Sequence, residues 1–317
     1  MNLKDLKITV FGIGGVGGAI GAMLAKTYGE QVSFIARGAR KEHLQKEGLT
    51  IRGDFTGSFT VKPGKVTEEP YELGEQDIIL VCVKNDALPA AAQKIRPIVG
   101  EKTLVIPVMN GVTAYRRLRV ELQQGIVLPS VIYIVSVSCP DYSIEQKGKY
   151  MEVHTGVLPG DEAYAEQARE VCRMFAGSGI DWQYSEEILT DIWKKYVLNC
   201  AYNVVTARWG CNIGEIKSDP AKMEDYRRLM EEAKDVGCAH GVPLPDDLID
   251  ELMGRLIKTK GESTSSLSRD FAEGKAGEME VFSGDLVRMA AAEGVPVPLT
   301  ERYYAAMQEI AAGFRKS

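Results

Sequence analysis

Lys7-Ile-Thr-Val-Phe11, followed without a break by Gly12-Ile-Gly-Gly-Val-Gly-Gly18, is the stretch on which the reading of the fold turns. The first run is rich in β-branched and aromatic residues and predicts a short strand. The pattern after the glycines, apolar at Ala19, Ile20, Met23 and Leu24, predicts a helix. A second strand is predicted over Val32-Ser-Phe-Ile-Ala36. Strand, glycine turn, helix and strand form the setting in which Gly12-x-Gly14-x-x-Gly17 acquires a physical meaning. Gly12 permits the tight turn, Gly14 lets backbone approach a pyrophosphate at the helix N-terminus, and Gly17 allows helix and strand to pack closely. Gly12, Ile13, Gly14, Gly15, Val16 and Gly17 are therefore candidate dinucleotide-binding residues, in a domain read as Rossmann-type.

The end of the second strand selects the cofactor. A site for NAD usually carries Asp or Glu there, to accept from the ribose 2′-hydroxyl; here stand Arg37, Gly38, Arg40 and Lys41. A guanidinium binds a 2′-phosphate that a carboxylate would repel, so NADP(H) is expected, with Arg37 as its reader. A solvated basic helix start is the plainer alternative.

Working outward, Asp77–Val83 is a nearly continuous apolar run, as a buried parallel strand should be, and it ends in Lys84-Asn85. A helix is predicted from Ala87 to about Val99, then a strand from Thr103 to Met109 ending in Asn110-Gly111. Ligands of doubly wound sheets sit beyond the carboxyl ends of strands, which makes Lys84 and Asn110 candidates; ordinary turn chemistry is the competing reading. Further strands are predicted between Ile126 and Val157, a helix over Glu162–Ala176, and at Ile180–Tyr184 a strand that closes the sheet.

After about Glu186 the β-type runs stop. Helices are predicted from near Leu189 and over Asp219–Cys238, Pro245–Lys260, Glu278–Ala292 and Thr300–Ala312, punctuated by His240-Gly-Val-Pro243 and Glu293-Gly-Val-Pro296. The expected organisation is an α/β dinucleotide-binding domain at 1–186 and an all-α domain at 187–317 that closes a cleft over the cofactor. The first of these helices contains Lys195, Asn199 and Asn203, four residues apart in an otherwise apolar segment. On a helix they share one face, drifting by about 40° per step. A polar ladder of this kind needs a polar object, because a buried polar group left unpaired costs roughly 1–3 kcal/mol. Glu262–Ser268 is hydroxyl-rich and reads by itself as a solvated loop; Glu278 by itself reads as a solvated helix start.

Composition narrows the classes. With 317 residues, 45% hydrophobic and 26% charged, the chain reads as a soluble protein of two domains. A formal charge of −6 argues against a nucleic-acid or anionic-membrane partner. No run approaches the ~18 apolar residues of a membrane span, and Met1–Asp5 does not begin a signal peptide. The six cysteines are scattered without a Cys-x-x-Cys pair, and His43, His154 and His240 stand alone. No metal site or disulfide framework is expected, the cysteines read as small core residues, and a reducing cytoplasm fits.

These residues together resemble the ketopantoate reductases (2-dehydropantoate 2-reductases), NADPH enzymes of pantothenate biosynthesis. The resemblance spans almost the whole chain and is densest at four places. They are the glycine motif with Arg37, Lys84 with Asn110-Gly111, Trp193–Thr206, and Ser265-Ser266 with Glu278. It implies that Lys195 is the proton donor, that Asn199 and Asn203 bind substrate, and that Ser266 contacts the substrate carboxylate. It implies further that Asn110 touches cofactor and substrate, that Lys84 lies near the NADP phosphates or ribose, and that Glu278 lies near the reacting centre and the cofactor. The substrate would be a small 2-keto acid, and a homodimer is an additional expectation. Burial would lower the Lys195 pKa and Glu278 would raise it, in opposition.

Two positions depart from the family pattern. Where an Asn often stands beyond the ladder, this chain has Ile213, with Asn212 displaced by one; and Ser130–Ser138 lacks a Thr/Ala-rich character. Two other readings are therefore kept: a reductase or dehydrogenase of another small keto or hydroxy acid, and a non-enzymatic NADP sensor, against which the presence of Lys195 counts.

Overall fold

The computed structural model describes residues 6–314. The chain forms two compact units that part between Ile188 and Leu189.

The strands of the first unit are, in chain order, β1 (Ile8–Phe11), β2 (Val32–Ile35), β3 (Leu49–Gly53), β4 (Gly57–Val61), β5 (Lys65–Thr67) and β6 (Ile78–Val81). They continue with β7 (Leu104–Pro107), β8 (Ile126–Val127), β9 (Ser130–Ser138), β10 (Ile144–Thr155) and β11 (Asp181–Tyr184). The helices are α1 (Gly15–Tyr28), α2 (Gly38–Glu47), α3 (Leu88–Ile95), α4 (Ala114–Leu122) and α5 (Ala165–Ala176).

Six strands make an all-parallel sheet in the order β5-β2-β1-β6-β7-β8. The chain leaves β1 in one direction for β2 and later returns on its other side with β6, so the strand order reverses at β1. That reversal is where doubly wound sheets open a crevice. Burial explains the composition: Ile8, Val10, Phe34, Ile78 and Leu80 are wholly enclosed, each contributing roughly 1.5–3 kcal/mol relative to exposure.

A second sheet holds β11-β10-β3-β4, with β9 antiparallel on β10. Residues 181–184 therefore do not close the first sheet as expected; they pair in parallel with Glu152–Thr155 of β10. The run 126–157 is likewise divided, since β8 belongs to the parallel sheet while β9 and β10 belong to the second. Helix α1 packs on both sheets, with Gly21 against the Phe34 ring of β2 and Gly18 against Ile144 of β10.

The second unit is helical: α6 (Ile188–Trp209), α7 (Ile213–Lys217), α8 (Pro220–Ala239), α9 (Leu248–Lys258), α10 (Ser266–Ala272), α11 (Asp285–Glu293) and α12 (Pro298–Phe314). A π-helical turn over Glu280–Gly284 runs directly into α11. The long helix α6 buries Trp193, Tyr196, Val197, Ala201, Val204 and Val205, and the Trp193 ring meets Tyr196 edge-on with centroids 5.5 Å apart. Caps set the ends. The Asp219 carboxylate accepts from the amides of Ala221 and Lys222 at the start of α8, and the Glu232 carboxylate accepts from the Leu299 and Thr300 amides of α12.

Two features differ from what the sequence predicts. The serine-rich stretch is not all loop: Ser265 is a buried N-cap whose hydroxyl accepts from the Ser268 amide, so α10 begins at Ser266. Cysteines 172, 200 and 211 are buried as core residues, but Cys238 is exposed; all six are free thiols. Among the described residues, no group of acidic, histidine and cysteine side chains could hold a metal, and no helix is long and apolar enough to cross a membrane.

Candidate active site

The first unit presents its candidate residues along one edge. Gly12 follows β1, Arg37 follows β2, Lys84 lies just beyond β6, and Asn110 just beyond β7. These four strands are neighbours in the order β2-β1-β6-β7 and their ends are level, with Phe11 beside Ile35 and Val81, and Val81 beside Pro107. Residues spread widely along the sequence thus become a contiguous row.

Within the glycine turn, Gly12 has φ +96°, and a Cβ there would lie 2.8 Å from the carbonyl oxygen of Cys82. A Cβ on Gly17 would collide with the Gly12 carbonyl. Gly14, by contrast, has no atom within 4 Å of where a Cβ would stand, and it is the N-cap of a 14-residue helix with no acidic residue in its first turn. Open space above aligned amides at a positive helix end suits a pyrophosphate. The Cys82 thiol, packed beneath the turn, is pushed by burial up to about 12 and remains neutral.

The basic cluster after β2 divides into different tasks. Arg37 is exposed at the N-cap of α2. Arg40 is half-buried: its guanidinium donates to the Ile13 carbonyl at 2.7 Å and to the Ser138 hydroxyl, tying the glycine turn to β9. Lys41 pairs with Glu68 at 3.8 Å. Beyond β6 and β7, Lys84 is exposed, and the Asn110 carbonyl accepts from the Asn85 side-chain amide at 2.9 Å. The Asn85 carbonyl in turn accepts from Arg117 at 3.0 Å. Gly111, at φ +93°, turns the chain away behind Asn110.

In the second unit, Lys195 and Asn199 are half-buried on α6, and Asn203 is buried. Burial pushes the Lys195 ammonium down to about 8, while the nearby Glu278 carboxylate pulls it back up. The Lys195 side chain is therefore largely an ammonium at neutral pH, yet close to the pH at which it gives up its proton. Its neighbour Lys194 is also half-buried. Asn203 Oδ1 accepts from the Ser266 hydroxyl at 3.2 Å and from the Leu267 amide at 3.4 Å. One turn on, Thr206 Oγ1 lies 2.6 Å from the buried Ser265 hydroxyl. The lower end of the ladder thus grips the start of α10 and presents Ser266, which is exposed. Glu278 is half-buried and lies two residues before the π-helical turn.

The departure past the ladder has a local structure. Asn212 is the N-cap of α7: its side chain accepts from the Glu215 amide, and its own amide donates to the Glu215 carboxylate at 2.8 Å. Ile213 is buried. The Asn displaced by one position is consumed by this reciprocal cap.

Sequence reasoning did not reach Arg40 as a brace for the glycine turn, nor Thr206 and Ser265 as the clasp beneath Ser266. The N-cap pattern at Ser265 was the signal that could have shown α10.

Sequence profiles of the ketopantoate reductase PanE/ApbA family match residues 8–160, and profiles of its C-terminal domain match residues 187–311. A 2-dehydropantoate 2-reductase of Caulobacter vibrioides is 30% identical over 292 residues, covering 92% of this chain and 94% of that protein. The uncharacterized oxidoreductase YkpB of Bacillus subtilis is 27% identical over 303 residues, covering 96% and 98%. Among solved structures, a PanE/ApbA family ketopantoate reductase from Ralstonia eutropha superposes with a TM-score of 0.88 at 28% identity, covering 98% of this chain and all of that one.

Proposed function

We propose that this chain, which belongs to the ketopantoate reductase family, is an oxidoreductase that reduces 2-dehydropantoate to pantoate with NADPH, in the pantothenate pathway of the cytoplasm. The observation that carries the chemistry is the half-buried Lys195, which burial and Glu278 together bring to a pKa of about 8.

When bound, NADPH supplies the hydride that reaches the ketone carbon. Everything else falls to the chain. Gly12–Gly17 and the N-terminus of α1 would take the pyrophosphate, Arg37 the 2′-phosphate, and Lys84 and Asn110 the remaining cofactor edge. Glu278 has a place beside both reacting centre and cofactor in this assignment. As negative charge grows on the carbonyl oxygen, the Lys195 ammonium stabilises it and donates its proton there. A lysine with a pKa near 8 donates more readily than one at the ordinary 10.5. Asn199, Asn203, Ser266 and Asn110 would orient the keto acid through neutral hydrogen bonds, without burying another unpaired charge.

A second reading is favoured by one observation. With Asn212 used as a cap and Ile213 buried, that position offers the substrate no polar side chain, which suits a keto acid lacking the hydroxyl of ketopantoate. Oxidation of NADPH measured against a panel of 2-keto acids that includes ketopantoate separates the two. Turnover of ketopantoate well above the others supports the first; turnover confined to another acid rejects it. NADP binding with no turnover of any acid would favour a sensor.

A further inference from the structure

We infer that Tyr196 is a positioning residue: its hydroxyl, acting through Val281 and the π-helical turn, holds the Glu278 backbone in place beside Lys195. The inference rests on the reading of Lys195 as the donor.

Tyr196 follows Lys195 on α6, so the two side chains leave the helix about 100° apart. One turns toward the site, the other into the core, where Tyr196 is 2% exposed. Its hydroxyl donates to the Val281 carbonyl at 2.7 Å. The amides of Val281 and Phe282 donate to the Glu278 carbonyl, at 3.0 and 3.3 Å. A continuous path of hydrogen bonds therefore runs from the residue after Lys195 to the main chain of Glu278.

The turn at the middle of that path does not look after itself. A π-helical turn is a rare geometry that persists where its surroundings impose it. Val281, Phe282 and Ser283 are all buried, and the Ser283 hydroxyl has no hydrogen-bond partner among the described residues. A helical serine ordinarily donates to a carbonyl one turn back. The segment does not make that bond, and the Tyr196 hydroxyl grips it from outside through the Val281 carbonyl. The charged and titratable groups around this path are Glu278 toward Lys195, and Cys200, Asp285 and Arg288 toward Tyr196.

The test reads the Lys195 ammonium directly, by NMR titration of protein carrying isotope-labelled lysine, with no substrate present. The assignment of the Lys195 signal comes from its loss in Lys195→Met. In the unmodified protein the expected midpoint is about 8. Glu278→Gln removes the charge that supports the ammonium and lowers the midpoint; Tyr196→Phe keeps the ring, frees Glu278 to drift, and lowers it in the same direction, by about half a unit or more. A Tyr196→Phe midpoint equal to that of the parent overturns the inference, as does an unchanged midpoint in Glu278→Gln, which removes the pairing beneath it. Neither depends on which keto acid is reduced, so failure of ketopantoate turnover is a separate result. Hydrogen exchange in the unmodified protein is a check that needs no variant: slow exchange at the Val281 and Phe282 amides is expected, and rapid exchange there overturns the inference even if Tyr196→Phe fails to fold.

Discussion

Asn203 reaches from α6 to the first turn of α10, its Oδ1 accepting from both the hydroxyl of Ser266 and the amide of Leu267. One ladder residue thereby fixes the position of another candidate substrate contact. Asn203→Ala should lower stability by about 1–2 kcal/mol, as losses of helix caps do, and raise KM for the keto acid more than it lowers kcat. Thermal denaturation and steady-state kinetics read the two effects. Unchanged KM in Asn203→Ala, with a raised KM in Ser266→Ala, would separate the residues and refute the coupling.

Lys195→Ala should reduce turnover by about 100- to 10,000-fold, the usual worth of a general acid, while NADPH binding measured by fluorescence stays intact. Lys194→Ala is the control. Because Lys194 is also half-buried, it matches Lys195 in environment better than a surface lysine would. Comparable losses in both variants would show that the donor is wrongly assigned.

The lowered Lys195 pKa carries two consequences with pH. Reductive turnover should be sustained below about 8 and fall as the pH rises through it, since the ammonium is then lost. Stability runs the other way. Between about 8 and 10.5 the unfolded chain holds a proton that the folded chain has released, so the burden of burying the charge is full at pH 7 and lifts as pH rises. Lys195→Met should therefore be more stable than the parent at pH 7, by on the order of 1–3 kcal/mol after allowance for partial solvation. The difference should shrink toward pH 10.5 in urea titrations. A pH-independent gap would mean that the charge is not the cause.

Arg37→Ala should weaken NADPH by about 10- to 100-fold, the range of a lost charge-assisted hydrogen bond, and leave NADH nearly unchanged. Arg40→Ala should behave differently, weakening both cofactors alike, because Arg40 braces the Ile13 carbonyl and Ser138. Calorimetric titration with each cofactor distinguishes the patterns, and equal loss of both in Arg37→Ala would remove its phosphate role.

Gly17→Ala should abolish dinucleotide binding or folding, since the added methyl has no room beside the Gly12 carbonyl. Gly14→Ala meets no protein atom and should fold normally, so any loss of NADPH affinity in it reports the approach of the ligand itself. Full affinity in Gly14→Ala would place the pyrophosphate elsewhere.

The parts of the fold that were legible from the sequence are those written in local pattern. The strand before Gly12, the helix after it and the apolar run at residues 78–81 each announce themselves within a dozen residues. The second sheet does not. Its parallel pairing of β10 with β11 joins segments separated by a whole helix, and nothing in Asp181–Tyr184 tells which sheet it enters. The hairpin of β3 and β4 is short and half-exposed, with weak alternation. At the site, residue types were legible as candidates, but their division of labour was not. That Arg40 braces while Arg37 stays exposed, that Asn212 is a cap, and that Thr206 clasps Ser265 are facts of tertiary geometry. The π-helical turn is the clearest case, because its sequence, Glu280–Gly284, reads as ordinary helix.

The row formed by Arg37, Gly12, Lys84 and Asn110 gives each residue its own strand and its own loop. Such an edge is modular. On the proposed assignment, a substitution at Arg37 would alter what meets the ribose end of a nucleotide without disturbing the turns after β6 and β7, which are tied to each other by the Asn85–Asn110 hydrogen bond. Cofactor preference could then drift during descent, or be redirected in the laboratory, through the loop after β2 so long as the Arg40 brace on Ile13 is kept, while the proposed proton donor Lys195 stays untouched on α6.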